Sequence, residues 1–281
     1  MPDHCRAYAR GDPDDLDCSL AYDHTHNDSC DRCLLLSSVV REIEEGLENA
    51  ECSDNEKEEL KFIISQTKQS IEAFKAHLLR STNQDECILD ILNELSVSSI
   101  LLVLDWAMKF LPLKFRESQP DWFGKRGIPW HISVAIRSNN GEMEMKTFVH
   151  VFDSATTQDS SAVLGILDDA FIQLKIVTPE LQTIHIRSDN VGCYHCAQTL
   201  ITAKRRSLQI SRIDFSESQA GKGACDRKAA THIATHLNSG HDIETAAQMK
   251  EAIDSCGGVR GVSVKVCSPP DAPSKEGELC Q

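Results

Sequence analysis

No apolar run in the 281 residues approaches the length of a membrane span. The longest, Ile100–Leu104, stops at Asp105, far short of the roughly 20 residues that a bilayer needs. No charged-then-apolar leader opens the chain, so a soluble, intracellular protein is expected, with no membrane among its partners. No heptad pattern is sustained, which excludes a long coiled coil, and no internal repeat marks a solenoid. Positive charge is scarce: 29 Lys/Arg stand against 43 Asp/Glu, a net charge of −14. The deficit is uneven. Residues 1–95 carry 22 acids and 9 bases, whereas residues 96–281 carry 21 and 20. The C-terminal two-thirds can approach a polyanion wherever its bases cluster; the acidic N-terminal third cannot. A plain basic DNA-binding helix and a clear nuclear import signal are both missing. The 12 cysteines, without a secretion signal, point to free thiols and a metal site rather than to disulfides.

What is present divides the chain into zones: a Cys/His-rich segment at 1–36, a helical region at 37–95, an α/β domain at 96–240, an appendage at 241–267 and a Pro-containing tail at 268–281. In the helical region, Val39, Val40, Ile43 and Leu47 share one helix face. Ser53/Asp54 suits the cap of a second helix, and Ile88–Leu95 suggests a third, short one. From residue 96 the texture changes. Ser99–Met108 reads as a buried strand, Ile128–Arg137 as a second and Glu144–Phe152 as a third, with Asn139-Asn140-Gly141 as the hairpin turn between the last two. A helix over 160–175, a strand over 181–188, a helix over 193–204, a strand over 208–215 and a helix over 224–237 follow. The appendage holds a helix near 244–255 and a short strand near 261–266. The order β-β-β-α-β-α-β-α predicts an α/β fold of ribonuclease H-like arrangement, a mixed five-stranded sheet flanked by helices and preceded by a mainly helical N-terminal region.

The acids strengthen that reading. Phosphodiester chemistry by two divalent ions needs carboxylates from separate segments that converge on the ions, and oxygen-rich sites suit magnesium or manganese. Asp105 closes an apolar strand (LLVLD), where a charge is costly unless it has a purpose or a partner; Lys109 is the partner a purely structural role would supply. Asp189 ends the fourth strand (IHIRSD), where side chains open onto a cleft, although Asp is also a favoured helix cap. A third acid is either Asp226, one turn into a helix after the loop GKGAC, or Glu217 in FSES just past the fifth strand; Asp226 fits a helix-borne position better. Lys222, Arg227 and Lys228 bracket Asp226 and suit phosphate contacts, as does the run Lys204, Arg205, Arg206. Packing is the expected role of His195, and Trp106, Trp122 and Trp130 read as core or loop anchors rather than base-stacking platforms.

The segments LLVLDWAMKF, RSDNVGCYH and SESQAGKGACDR resemble the three acid-bearing segments of DDE transposases and retroviral-type integrases. Asp189 and Asp226 lie 37 positions apart, close to the usual interval between that family's second and third acids. AGKGACDR resembles its loop-helix with an asparagine-glycine-lysine and a glutamate-arginine pattern, with Asp in place of Glu. More broadly, Cys18 to Val264 looks like uncharacterised transposon-derived animal proteins that join a zinc-knuckle segment, helices and this domain. The resemblance implies metal-dependent DNA strand cleavage and transfer with two Mg2+ or Mn2+ ions on Asp105, Asp189 and Asp226, DNA as partner, possible homo-oligomers and a nuclear location. The competing expectation is a domesticated, inactive DNA- or protein-binding module on the same scaffold. Separately, Cys18, His24 or His26, Cys30 and Cys33 can supply four tetrahedral zinc ligands, with His4 and Cys5 in reserve, and a zinc ion would order so polar a segment. Cys193 and Cys196 form a second C-x-x-C, which reads as packing.

Overall fold

The computed structural model describes residues 31–139, 141–153, 156–216, 223–238, 240 and 242–268. The chain divides into two compact units, Met1–Ile88 and Leu89–Gln281. In the first, helix α1 (Asp31–Glu48) is followed by the 41-residue α2 (Asp54–Glu94), which runs on into the second unit. Ser53 caps α2 as expected: its backbone N–H donates to Glu56 Oε2 at 2.9 Å, while the Glu56 N–H donates to Ser53 Oγ at 3.4 Å, a capping box. The separate third helix expected at 88–95 is the end of α2. No Gly or Pro occurs between 54 and 94, so nothing interrupts the ladder. Within the unit, Lys61 and Lys68 bridge to Glu48 and Glu44 on α1 at 2.6 and 2.9 Å.

The second unit is a mixed α/β layer structure. Strands β1 (Ser99–Trp106), β2 (Trp130–Asn139), β3 (Glu142–Phe152), β4 (Thr183–Asp189), β5 (Gln209–Ser216) and β6 (Val262–Cys267) form one sheet in the order β5-β4-β1-β2-β3-β6. β2 is antiparallel to β1 and β3; every other pair is parallel. The five-strand expectation is corrected to six. β6, read as part of an appendage, pairs with the free edge of β3 from Thr147↔Val262 to Phe152↔Cys267, and so covers backbone donors and acceptors that an open edge would leave exposed. The hairpin turn is as expected: Asn139 pairs with Glu142, and Gly141 takes a positive φ of 85°, which a two-residue turn requires.

Helices α3 (Gln119–Phe123), α4 (Ser160–Val177) and α5 (Gln198–Arg205) follow the β1, β3 and β4 strands. α4 is capped by Asp159, which accepts from the Ala162 N–H at 3.0 Å. It buries Val163, Leu167, Ala170, Phe171 and Leu174 against Ile100, Leu102, Leu104, Phe148, Ile184 and Ile186. These positions alternate along each strand, so they define one face of the sheet. The helix expected over 193–204 starts later: Gly192–Tyr194 is a single 3-10 turn that buries Cys193 and Tyr194, and α5 follows. The helix expected over 224–237 is three pieces in one run, α6 (Ala224–Arg227), a π-helical turn (Lys228–Ile233) and α7 (Ala234–Leu237). α8 (Ala246–Asp254), capped by Thr245, completes the unit.

Candidate active site

Asp105 and Asp189 are brought together by strand register. β1 and β4 run parallel from Ser99↔Thr183 to Val103↔Arg187. Carried two residues further, the same offset sets Asp105 level with Asp189 on strands about 4.8 Å apart. Level residues on neighbouring parallel strands point to the same face. Leu102 and Leu104 pack on α4, so Asp105 and Asp189 point to the other face. α6 lies on that face, against β1 and β2. Its buried Cys225 places Sγ 3.4 Å from the Val103 carbonyl and 3.6 Å from that of Ile132, and Ile132 is the cross-strand partner of Asp105. The residue after this anchor is Asp226. Its carboxylate accepts from the Gly223 N–H at 2.9 Å, which closes the first turn of α6.

The charges act on one another. Burial pushes the Asp105 carboxyl up to about 7 from an ordinary 3.8, helped by the negative charges of Asp189 and Asp226 and opposed by a hydrogen bond from the Trp106 N–H. Asp189 is also raised, by burial and then by Asp226; it is exposed at the strand end, where solvent screens part of the effect. The Tyr194 hydroxyl and the Cys225 thiol are both pushed up, first by burial and then by the Asp105 charge. Every one of these neighbours is an acid or a proton donor. Three carboxylates from two strands and a helix thus act on one another through their charges. Among the described residues, no three His, Cys, Asp or Glu side chains already stand close enough to enclose an ion. Their donor set of oxygen atoms alone suits a hard divalent cation.

Other expected residues are distributed more widely. Arg227 is exposed and Lys228 half-buried beside Asp226. Glu217 and Lys222 lie outside the described residues, as do Cys18, His24, His26 and Cys30 of the expected zinc site; Cys33 lies on α1. Arg206 forms a two-pronged ion pair with Asp168, at 2.7 and 2.6 Å. The His195 ring packs on Phe215 at 4.1 Å. Trp130 is buried, with its indole N–H donating to the Met108 carbonyl at 2.7 Å, and Trp106 packs on His131 and Phe152. Trp122 is no core anchor: it is 62% exposed.

Sequence reasoning missed a polar row on the opposite face. His131 and His150 are cross-strand partners, and His150 is level with Lys265. His131 is fully buried, and Nε2 lies 3.1 Å from the Tyr194 hydroxyl. His150 Nε2 lies 3.0 Å from Asp169, which also pairs with Lys265. The His150 hydrogen bond, then Lys265, draws Asp169 down to about 2 against the opposing effect of burial. Burial and the nearby His150 hold His131 well below the usual imidazole range.

Among the described residues, no helix is long and apolar enough to cross a membrane. No curated protein matches the chain. Residues 84–268, which hold the whole sheet and all three acids, match a family described as a domain of unknown function, DUF8701, and the chain belongs to that family.

Proposed function

We propose that this protein is a metal-dependent polynucleotidyl transferase, a DNA strand-cleaving and strand-joining enzyme of the transposase/integrase type on a ribonuclease H-like sheet. The observation that carries the reading is the parallel pairing of β1 and β4 up to Val103↔Arg187, two residues short of Asp105 and Asp189, with Asp226 acting on both through its charge. The strand order β5-β4-β1-β2-β3, with only β2 reversed, supports it. That order seats β1 and β4, the strands that carry Asp105 and Asp189, side by side.

Mg2+ or Mn2+, when bound, activates the attacking oxygen and stabilises the leaving one. The residues of this chain do the rest. Asp105, half-buried between β2 and β4, supplies the central oxygen ligand; its raised proton affinity makes it the carboxylate that gains most from a cation. Asp189 supplies the second ligand from the open strand end. Asp226 supplies the third, on a helix fixed to the sheet by Cys225 and held in rotamer by the Gly223 N–H. Arg227 and Lys228, next to it, meet phosphate oxygens.

The test is nicking of supercoiled plasmid with Mn2+ by the full chain and by Asp189→Asn. Loss of nicking in a variant that still unfolds cooperatively supports the reading. Equal nicking by the variant removes Asp189 from the mechanism. No nicking by the parent protein leaves a DNA- or protein-binding module as the function of the scaffold.

A further inference from the structure

The connection between β1 and β2, residues 107–129, leaves β1 one residue after its end at Trp106, beside Asp105. It displays aromatic rings that the fold does not bury. Phe115, Trp122 and Phe123 are 75%, 62% and 81% exposed. An exposed aromatic group of this kind marks an interaction site more often than a packing failure. Its base is well tied down. Phe110 bridges to Ile128 and Leu113 to Ile243. The Phe115 N–H donates to Asp242 at 2.9 Å, and Lys125 forms a 2.6 Å ion pair with Glu117 in which both side chains are largely covered. The rings are therefore held outward on an anchored platform. Phe115 and Trp122 line one cleft of about 340 Å³.

Charge identifies the occupant. The connection carries five Lys/Arg and two Asp/Glu in a chain whose net charge is −14. Lys114 and Lys125 are paired with Glu244 and Glu117, and Glu117 and Asp242 also line the cleft. Cations sit against the rings themselves: Lys125 Nζ is 4.4 Å from the centre of Trp122, and Arg116 is 5.3 Å from that of Phe115. The exposed cations outside the ion pairs, Lys109, Arg116 and Arg126, are on the same connection. Aromatic faces interleaved with bases suit stacked nucleobases joined by phosphates. A duplex keeps its bases stacked on one another, so only an unpaired strand or a frayed end can use the rings.

We infer that Phe115, Trp122 and the Lys/Arg of this connection form a stacking site for a single nucleic-acid strand, on the segment that leaves β1 next to Asp105. The inference rests on the polynucleotide reading above for the purpose of the site, but not for its existence. Stacking on each ring strengthens binding by about tenfold.

The test is a titration of the full chain, in EDTA and at fixed salt, with oligo(dT) and with a blunt duplex of equal length. Tryptophan emission and labelled-strand anisotropy are the readouts. The strand is expected to bind in preference to the duplex and to quench the emission. Trp122→Ala weakens strand binding by about tenfold, Phe115→Ala/Trp122→Ala weakens it further, and Trp122→Phe keeps most of the affinity while losing part of the quench. Circular dichroism confirms that the variants fold. Strand affinity unchanged in the double variant overturns the inference, as does equal binding of strand and duplex, as does a loop that supports self-association and binds neither oligonucleotide. Asp189→Asn separates the two claims. Loss of nicking with strand binding intact supports both. Ring-dependent strand binding by a parent protein that never nicks overturns the acid-cluster reading alone.

Discussion

Two aspartates on opposite faces of the same sheet behave in opposite ways. Asp169, on α4, sits between His150 and Lys265 and is drawn down to about 2. Asp105, on β1, sits with Asp189 and Asp226 and is pushed up to about 7. Both are partly covered, and burial raises both. For Asp105 burial is the largest cause and two further carboxylates add to it, whereas for Asp169 a histidine and a lysine outweigh burial. The Asp169 cluster is complete within the chain, which makes it a structural tie among β3, β6 and α4. The Asp105 cluster brings carboxylate to carboxylate, and a perturbed carboxyl with two others acting on it is where chemistry is to be sought.

The largest expected effect breaks the comparison on the catalytic side. Asp189→Asn lowers Mn2+-dependent plasmid nicking by at least about 10²-fold, whereas Asp169→Asn leaves the rate within a few-fold once its lower stability is allowed for; gel densitometry of nicked product reads both. Stability shows the reverse. Asp169→Ala leaves buried His150 without its acceptor and costs about 3 kcal/mol in urea unfolding, while Asp105→Asn, which relieves a repelled carboxylate, is neutral or stabilising.

A smaller effect, on the order of 2 kcal/mol after discounting for solvent, lies in pH dependence. Asp105 has a folded-state value above its ordinary 3.8, so the folded state holds the extra proton. Its contribution is fully present below about pH 4 and is lost as pH rises to about 7. Asp169 is the opposite case: its contribution is present above the ordinary carboxylate value and is lost only as pH falls through about 2. Urea titrations between pH 4 and 8 are expected to show stability falling with pH in the parent protein and a flatter profile in Asp105→Asn. The smallest effect sharpens the point: Mn2+ raises the melting temperature by a few degrees at pH 8 and by less at pH 5, where Asp105 already carries a proton. An equal rise at both pH values, or an equal rise in Asp105→Asn, would place the ion elsewhere.

Much of this was legible beforehand. Asp105 stood out because it ends an aliphatic run and Asp189 because it ends the strand segment IHIRSD, and both strands formed where they were expected. The His131–His150 pair was also within reach. Counting outward from the hairpin pair Asn139↔Glu142 pairs these two residues, and each sits between apolar neighbours, Trp130 and Ile132 in one strand and Val149 and Val151 in the other. The core or loop alternative for Trp122 stayed open in the sequence because a tryptophan among Pro, Gly and charged residues reads the same whether its ring is tucked in or held out; the structure excludes the core. The π-helical turn after Asp226 has no sequence marker, since the residues Lys228–Ile233 suit an α-helix equally well.

The sequence by itself determined the element order, the hairpin register and the candidate acids, because these depend on local periodicity and on the cost of placing charge in apolar runs. Only the tertiary structure decided that Asp105 and Asp189 stand level on one face, that Asp226 is carried to them by the Cys225 anchor, and that β6 joins the sheet. It also separated a neutralised aspartate from a repelled one. Proton affinity follows from which charges lie within a few ångströms, and residues 84 positions apart in the chain become neighbours only when two strands pair.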